Sequence, residues 1–439
     1  MTNQETSNSV GMPVSQQNRI TLLDSLRGVA ILGILLMNIP IFAWDVMSWD
    51  PSIKNEFGTI NYYLWYFVSW VPEGTQRALF SMLFGAGIIL FVNGKEKQNS
   101  TVSATDYFFR RQLWLLVFGL INIYVLLWRG DILFDYGCYG MLMFVFRLWE
   151  PQKLLIAAGV CFLLMFAREN RDLYLDKAII AKGEIIEKID AKTTKLTEQQ
   201  QDDLAAFKEI KEHSTLENKI KRMEKANRLM TGSYEEVYTA VTDKYLHYFM
   251  PYLYFSIWDV IAFMLLGMAF FKMGVLSGTA PTPWYAVMSV VGLGLGLWLT
   301  NVLLHYRIDS GFNRYIILKN MTVSFADVGR LLRTLGIFGT LMLMYKSGAF
   351  GWFFRLFQPV GQMAFTNYLT QSLICMLIFT GIGLGYFGKL ERYEGYIIVG
   401  CIWGVQIIWS HIWLRYFRFG PLEWLWRSLT YWKRQPMKR

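Results

Sequence analysis

The chain has 439 residues, is 54% hydrophobic and 17% aromatic, and carries a formal net charge of +10. Its apolar residues gather into runs of about 18 to 25, the length that crosses a hydrocarbon layer about 30 Å thick, which excludes an ordinary soluble class. The basic residues collect at the ends of those runs, where they fix orientation against anionic lipid, so no nucleic-acid partner is expected.

Inside lipid every backbone amide must be paired within its own segment, so the runs are expected to be helices. The fold class is all-α: a polytopic bundle of about ten spans, over residues 28–46, 75–93, 112–128, 132–149, 153–168, 251–274, 283–305, 329–347, 362–383 and 396–414. Residues 1–167 form an N-terminal half with five spans, 168–250 a soluble insertion, and 251–439 a C-terminal half with a basic tail. The segment before Arg19 is polar and no short apolar core with a cleavage site follows, so the first helix is read as an uncleaved span.

The aromatic stretch 60–72 ends at Pro72 and suits a short helix at headgroup level. From Glu184 to Met230 there is no glycine or proline, and charges alternate with apolar residues at helical spacing, as in Leu216, Ile220 and Met223 or Ile185 and Ile189. Ser214 with Glu217 and Thr197 with Gln200 read as capping boxes of two or three projecting helices. Lys and Arg favour one set of loops and the tail, which places both termini in the cytoplasm and the insertion outside.

Polar groups within spans are the candidate site residues, because they cost several kcal/mol unless paired or hydrated. Arg27 opens the first span with Asp24 one turn before it, and Asn38 lies three turns further on nearly the same face. Glu73 and Arg77 are spaced for a helical salt bridge at the mouth of the second span. Arg129 and Asp131 sit in a tight turn followed by Asp135, one helical turn on, and Asn122 lies two turns before Arg129. Two carboxylates there repel unless a cation, a proton or Arg129 intervenes. Asp259 is an isolated carboxylate in the sixth span, and Thr366, Asn367, Tyr368, Gln371 and Ser372 make a polar stripe in the ninth. The glycines at 292, 294 and 296 and at 381, 383 and 385 are expected to permit close helix approach. The four cysteines and four histidines lack metal-ligand spacing, so no metal is expected.

Several segments then form a recognisable set: LDSLRG from Leu23 running on to Asn38, LFSMLFGAG from Leu79, GDIL from Gly130, GQMAFTNYLTQS from Gly361 and GPLEWLWRSLTY from Gly420. In this order they resemble the YeiB family of bacterial membrane proteins, with only the insertion outside the likeness. That family's first span is in turn similar to the transmembrane acyltransferase group, which includes heparan glucosaminide acetyltransferase. The resemblance implies an inner-membrane protein that takes an acyl group from cytosolic acetyl-CoA or another acyl-CoA. An extracytoplasmic acceptor, an envelope glycan or a lipid, would receive it. Arg27, Arg77, Arg129, Asn367, Gln371 and, in the tail motif, Glu423 and Arg427 would bind substrate or coenzyme. Asp131 or Glu73 would do the proton chemistry, with Asn38 and Asn122 positioning groups or stabilising an oxyanion. Many YeiB relatives carry histidine just before the GDIL turn, where this chain has Asn122, and asparagine cannot serve as a base. Membrane lipids are expected partners and a homodimer is allowed. Two rival readings are a transporter or flippase that relays protons through the same carboxylates, and an envelope scaffold acting through the insertion.

Overall fold

The structure, a computed structural model, describes residues 21–44, 49–97, 102–189 and 196–439, without the side chains of 244–250 and 255. The polar N-terminal segment and the His247 side chain lie outside the described residues.

Among the described residues the regular elements are all helical, as expected for an all-α bundle. Helix α1 (Thr21–Ala43) is central and, past the Asp24–Arg27 turn, predominantly apolar. The short α2 (Ile60–Trp70) precedes α3 (Thr75–Glu96), which runs back beside α1. Then follow α4 (Ala104–Tyr124), α5 (Leu133–Met143) and α6 (Pro151–Ile186). The insertion adds α7 (Glu198–Ser214) and α8 (Leu216–Met230), and α9 (Tyr234–Lys272) returns to the bundle. Beyond it lie α10 (Thr282–Asp309), α11 (Arg314–Asn320), α12 (Ala326–Ser347), α13 (Gly351–Gln362), α14 (Ala364–Phe379), α15 (Arg392–Tyr416) and α16 (Pro421–Tyr431).

Six segments are long and apolar enough to cross a membrane: Thr21–Ala43, Ile60–Glu96, Pro151–Ile186, Pro251–Lys272, Thr282–Asp309 and Arg392–Tyr416. Four of the ten expected spans fall short of that measure for identifiable reasons. Helix α4 opens with Asp106, Arg110 and Arg111, α12 carries Asp327, Arg330 and Arg333, α5 has 11 residues and α14 has 16. The outer helices show the membrane most directly. Ile156, Val160 and Leu163 on α6 stand exposed at helical spacing, as do Val287, Val290 and Trp298 on α10 and Ile397, Val405, Ile408 and Ile412 on α15. In water such stripes would be an aggregation surface, whereas lipid covers them at no cost.

Close backbone approach sets the core. A Cβ on Gly361 would lie 1.7 Å from the Asp24 carbonyl oxygen, and one on Gly28 would lie 2.1 Å from that of Phe357, so α1 and α13 cross where two of the sequence motifs meet. Ser25 Oγ seals the crossing by donating to the Phe354 carbonyl at 2.8 Å. Gly292 and Gly296 likewise bring α10 onto α12, but Gly294 faces open space. The glycines 381–385 do something else: they form the turn that ends α14, and the Gly381 amide donates to the Met230 carbonyl of the insertion at 2.9 Å.

The 168–250 insertion is continuous with the helices of the bundle. Helix α6 runs without a break from the bundle to Ile186, and α9 runs from Tyr234 back into it, so only the α7–α8 hairpin and its links stand apart. Thr197 and Gln200 do form a capping box, and Ser233 with Glu236 form a second. At the junction of α7 and α8, however, Thr215 is the cap, because the Ser214 hydroxyl accepts the Tyr315 amide at 2.9 Å. The expected stripes also shift: Ile185 and Leu216 are exposed, while Phe207 packs on Gly183, Ile180 and Ile186 are buried, and Ile220 and Met223 are half-buried. The hairpin is pinned to the bundle by Lys219, whose buried Nζ reaches Asp50 Oδ2 at 2.6 Å and the Phe312 carbonyl at 2.7 Å.

A second polar centre joins three helices. Asp259 on α9 lies between Arg77 of α3 and Arg330 of α12, at 2.7 Å from the latter, and Arg330 also meets Asp327 at 2.9 Å. Glu73 takes no part in the salt bridge expected with Arg77. Gly74 between them is left-handed at φ 76, so Glu73 stands in a turn before α3 and helical spacing does not apply. Arg333, one turn past Arg330, donates to the Ser69, Trp70 and Val71 carbonyls at 2.9–3.4 Å and so caps α2. Removing the central carboxylate with Asp259→Ala takes the carboxylate from Arg77 and leaves Arg330 with Asp327 alone, and should cost about 3–5 kcal/mol. Thermal unfolding of the purified protein in detergent measures that loss, and unchanged stability would refute the role.

Candidate functional site

Helices α1, α3, α4, α5, α14 and α16, with the ends of α9 and α13, surround a cavity of about 1010 Å³. Its basic end is built by residues that fall together only in the folded chain: Arg27 from α1, Lys97 just past α3, Arg111 from α4 and Arg427 from α16. Arg27 is held by Asp24 at 3.1 Å, the pair expected from their spacing, and its Nη2 faces the site of a Cβ on Gly87 at 3.3 Å. Arg111 lies between the Trp426 ring (4.0 Å) and the Phe91 ring (5.0 Å), and Trp426 Nε1 donates to the Arg111 carbonyl at 3.0 Å. Arg427 lies over the Phe419 ring at 4.4 Å, and both Arg27 and Arg427 are within electrostatic range of Arg111. Three like charges gathered on one wall favour an anionic guest.

The walls beyond are apolar, from Leu83, Phe84, Ile88, Leu115 and Leu133, and the far end is closed by Tyr136, Ile132 and Tyr368. Behind Tyr368 lies Asp131. Asp131 Oδ2 accepts the Phe134 amide at 2.8 Å, which fastens the start of α5, while Oδ1 accepts Asn122 Nδ2 at 2.7 Å and the Tyr368 hydroxyl at 3.4 Å. The Tyr368 oxygen in turn accepts Trp128 Nε1 and the Ile132 amide, both at 3.2 Å. Tyr368 is thereby oriented from three sides, with its ring on the cavity and its proton aimed at a buried carboxylate. Asn122 Oδ1 has no hydrogen-bond partner among the described residues.

Trp128 also divides the interior. It stacks on Phe42 at 3.7 Å between ring centres and, with Arg129, lines a separate pocket of about 40 Å³ under α8 and α9. The large cavity therefore ends at Tyr368, and the insertion covers the small pocket beyond.

The other sequence candidates distribute as follows. Asp131 and Asp135 do not share one site: Asp135 accepts the Tyr252 hydroxyl at 3.0 Å on the α9 side. Glu73, Arg77, Arg129 and Asn38 do not line the cavity. Asn367 is fully engaged, with Nδ2 donating to the Val360 carbonyl and Ser410 Oγ and Oδ1 accepting Trp409 Nε1. Gln371 pairs with Gln406 at 2.9 Å, so this stripe joins α14 to α15. Glu423 borders the cavity, yet its carboxylate accepts the Phe365 and Thr366 amides at 2.8 and 3.0 Å and the Thr366 hydroxyl at 2.5 Å. It caps the start of α14 from another helix, where a negative charge is favoured. The residues that sequence reasoning missed are Lys97, Arg111 and Gln112, together with the roles of Trp128 and Tyr368. Phe108, Arg111, Gln112 and Leu115 lie at i, i+3, i+4 and i+7 on α4, so a polar pair inside an otherwise apolar helical face was their available signal.

Fold and cavity together define an all-α polytopic membrane protein with an internal chamber. Residues 270–433 match the family described as a protein of unknown function (DUF418). YxaH of Bacillus subtilis (strain 168), an uncharacterized protein, is 29% identical over 440 residues, covering 97% of this chain and 98% of that protein. The uncharacterized YeiB of Escherichia coli (strain K12) is 28% identical over 421 residues, with 94% and 96% covered. The chain is similar to these proteins along nearly its whole length, in keeping with the resemblance its motifs carry. No solved structure matches it.

Replacing the cap with Glu423→Ala leaves the α14 amides unpaired and should lower stability by about 1–2 kcal/mol. Thermal unfolding in detergent reads this, and Glu423→Gln should recover part of it. No change in either variant would remove the capping role.

Proposed function

We propose that the protein is a membrane-embedded acyl-transfer enzyme whose cavity receives an acyl-coenzyme A from the basic end. The single observation that carries this reading is the cavity, with guanidinium groups of Arg27, Arg111 and Arg427 at one end and the Tyr368–Asp131 pair at the other. Phosphates of the coenzyme would lie against Arg27, Lys97, Arg111 and Arg427, where paired N–H groups suit phosphate oxygens. The apolar walls would take the arm that carries the thioester. Tyr368, held by Trp128 and Ile132, would meet the thioester end, and Asp131 behind it would accept a proton as an acceptor hydroxyl attacks the carbonyl carbon. In that step the new C–O bond forms, the C–S bond breaks and the coenzyme leaves as a thiolate, which becomes the thiol when Asp131 returns the proton through Tyr368. The charge bias of the loops supports a bacterial inner-membrane location with the basic end in the cytoplasm.

A transporter reading draws on one observation, the Trp128–Phe42 stack between the large chamber and the small pocket beneath the insertion. It requires that stack to open, and it predicts substrate flux across vesicles.

Calorimetry with acetyl-coenzyme A tests the enzymatic reading. The wild-type protein should bind, and Arg27→Ala and Arg427→Ala should each weaken binding about tenfold or more, as expected for a lost charge-assisted contact. Asp131→Asn should leave binding intact and abolish transfer from radiolabelled acetyl-coenzyme A to membrane acceptors. Absence of any binding by the wild-type protein would refute the proposal.

A further inference from the structure

The helix that brings Arg427 to the chamber ends on an unexpected residue. Trp432 stands just past α16 at φ 52, in the left-handed conformation. The Lys433 amide donates to the Ser428 carbonyl at 3.2 Å and the Trp432 amide to that of Leu429 at 3.3 Å, a helix closure that ordinarily has glycine where Trp432 sits. A bulky side chain held there is strained by about 1–2 kcal/mol. Burial does not offset that strain: Trp432 is 77% exposed, more than any other large apolar side chain among the described residues. The chain beyond it is fastened, because Trp424 Nε1 donates to the Gln435 carbonyl at 2.7 Å and Phe417 bridges to Lys438. An ordered turn thus presents the indole to the outside.

Its neighbours narrow what it is presented to. Arg110 and Arg111 are adjacent on α4, and each lies over a tryptophan of the α16 segment. Arg111 is 4.0 Å from the Trp426 ring centre at the chamber, and Arg110 is 5.1 Å from that of Trp432 outside it. Arg110 covers one face of the indole and leaves the other open. Lys433 and Arg434 follow directly and are exposed. From Arg427 to Trp432 the helix advances five residues, or about 8 Å. A free aromatic face among three cations, that far from a cationic chamber wall, suits a planar base on a phosphorylated sugar. A purely apolar ligand would not need the cations, and a simple anion would need neither the ring nor the strain that exposes it.

We infer that Trp432, backed by Arg110, forms a nucleobase subsite outside the chamber, where the adenine of the guest stacks on the open face of the indole. This rests on the reading of the chamber as an acyl-coenzyme A site, since the adenosine 3′-phosphate of that coenzyme is joined through a pyrophosphate to the arm that carries the thioester. The pyrophosphate lies against Arg427 and Arg111, the nucleotide stays outside on Trp432, and only the arm goes on toward Tyr368. Recognition is thereby divided between two places: the turn after α16 reads the nucleotide and the chamber reads the arm.

Calorimetry on the full-length protein in nanodiscs of zwitterionic lipid tests this with three probes. They are coenzyme A, adenosine 3′,5′-bisphosphate (the nucleotide without the arm) and 4′-phosphopantetheine (the arm without the nucleotide). Trp432→Gly removes both the ring and the strain. It should melt no lower than wild type without ligand, bind coenzyme A and the bisphosphate about tenfold more weakly, and bind 4′-phosphopantetheine equally well. Trp432→Phe keeps a ring and should retain most of the affinity, whereas Arg110→Ala, on another helix, should show the same selective loss as the glycine variant. Wild-type affinity of Trp432→Gly for coenzyme A, or a wild-type protein that binds coenzyme A but not the bisphosphate, would overturn the subsite while the acyl-coenzyme A reading stands. An equal loss for all three probes, or a lower melting temperature with unchanged binding, would make Trp432 a structural or headgroup anchor and also overturn it. Failure of the wild-type protein to bind coenzyme A would overturn the reading on which the inference rests.

Discussion

Asp259 can exist as a buried carboxylate only because two arginines from different helices meet it, and much of the bundle is arranged to let them. In hydrocarbon an unpaired charge is prohibitive, and a neutral cluster is tolerated only when its members are held together. Arg77, Asp259, Arg330 and Asp327 balance in charge and tie α3, α9 and α12 into one block. The next arginine on α12, Arg333, closes the carbonyl end of α2, so the same helix that balances the charge also fixes the aromatic segment leading into α3. With α3 fixed, one wall of the chamber is fixed as well.

The chamber shows the complementary arrangement. Its cations are supported by ring faces and by Asp24, while its opposite end is a short relay of hydrogen bonds from Trp128 and Ile132 through Tyr368 to Asp131. Each member of the relay has a structural duty too: Asp131 starts α5, and Trp128 stacks on α1 through Phe42. A polar site in lipid is made economical in this way, because the groups that hold helices together also face the guest.

Sequence periodicity and run length were enough for the helical class, the placement of the apolar segments, the short aromatic helix and the Asp24–Arg27 pair. They failed where a partner lies far off in sequence. Glu73 and Arg77 have helical spacing, but a left-handed glycine intervenes and Arg77 reaches 182 residues ahead to Asp259. Asn367 and Gln371 look like site residues in a one-dimensional pattern and prove to be saturated by α15. Glu423 sits inside a strong motif for the sake of a helix start 57 residues before it. Arg111 and Gln112 were passed over because they stand where a helix enters the membrane, the usual place for solvated polar residues. Only the fold turns that face inward. Asp131 was found for the right reason, an awkward carboxylate in a tight turn, while the tyrosine in front of it was hidden among aromatics.

The unbroken run of α9 from the insertion into the bundle has a mechanical meaning. Its 39 residues make a rod about 58 Å long. The rod is gripped at one end by a hairpin that Lys219 ties to Asp50 and to the Phe312 carbonyl, and further along by Asp259 in the charged block. Held at these two points, α9 fixes the placement of the hairpin relative to the charged block, and so to the helix that carries Arg77 and the chamber wall.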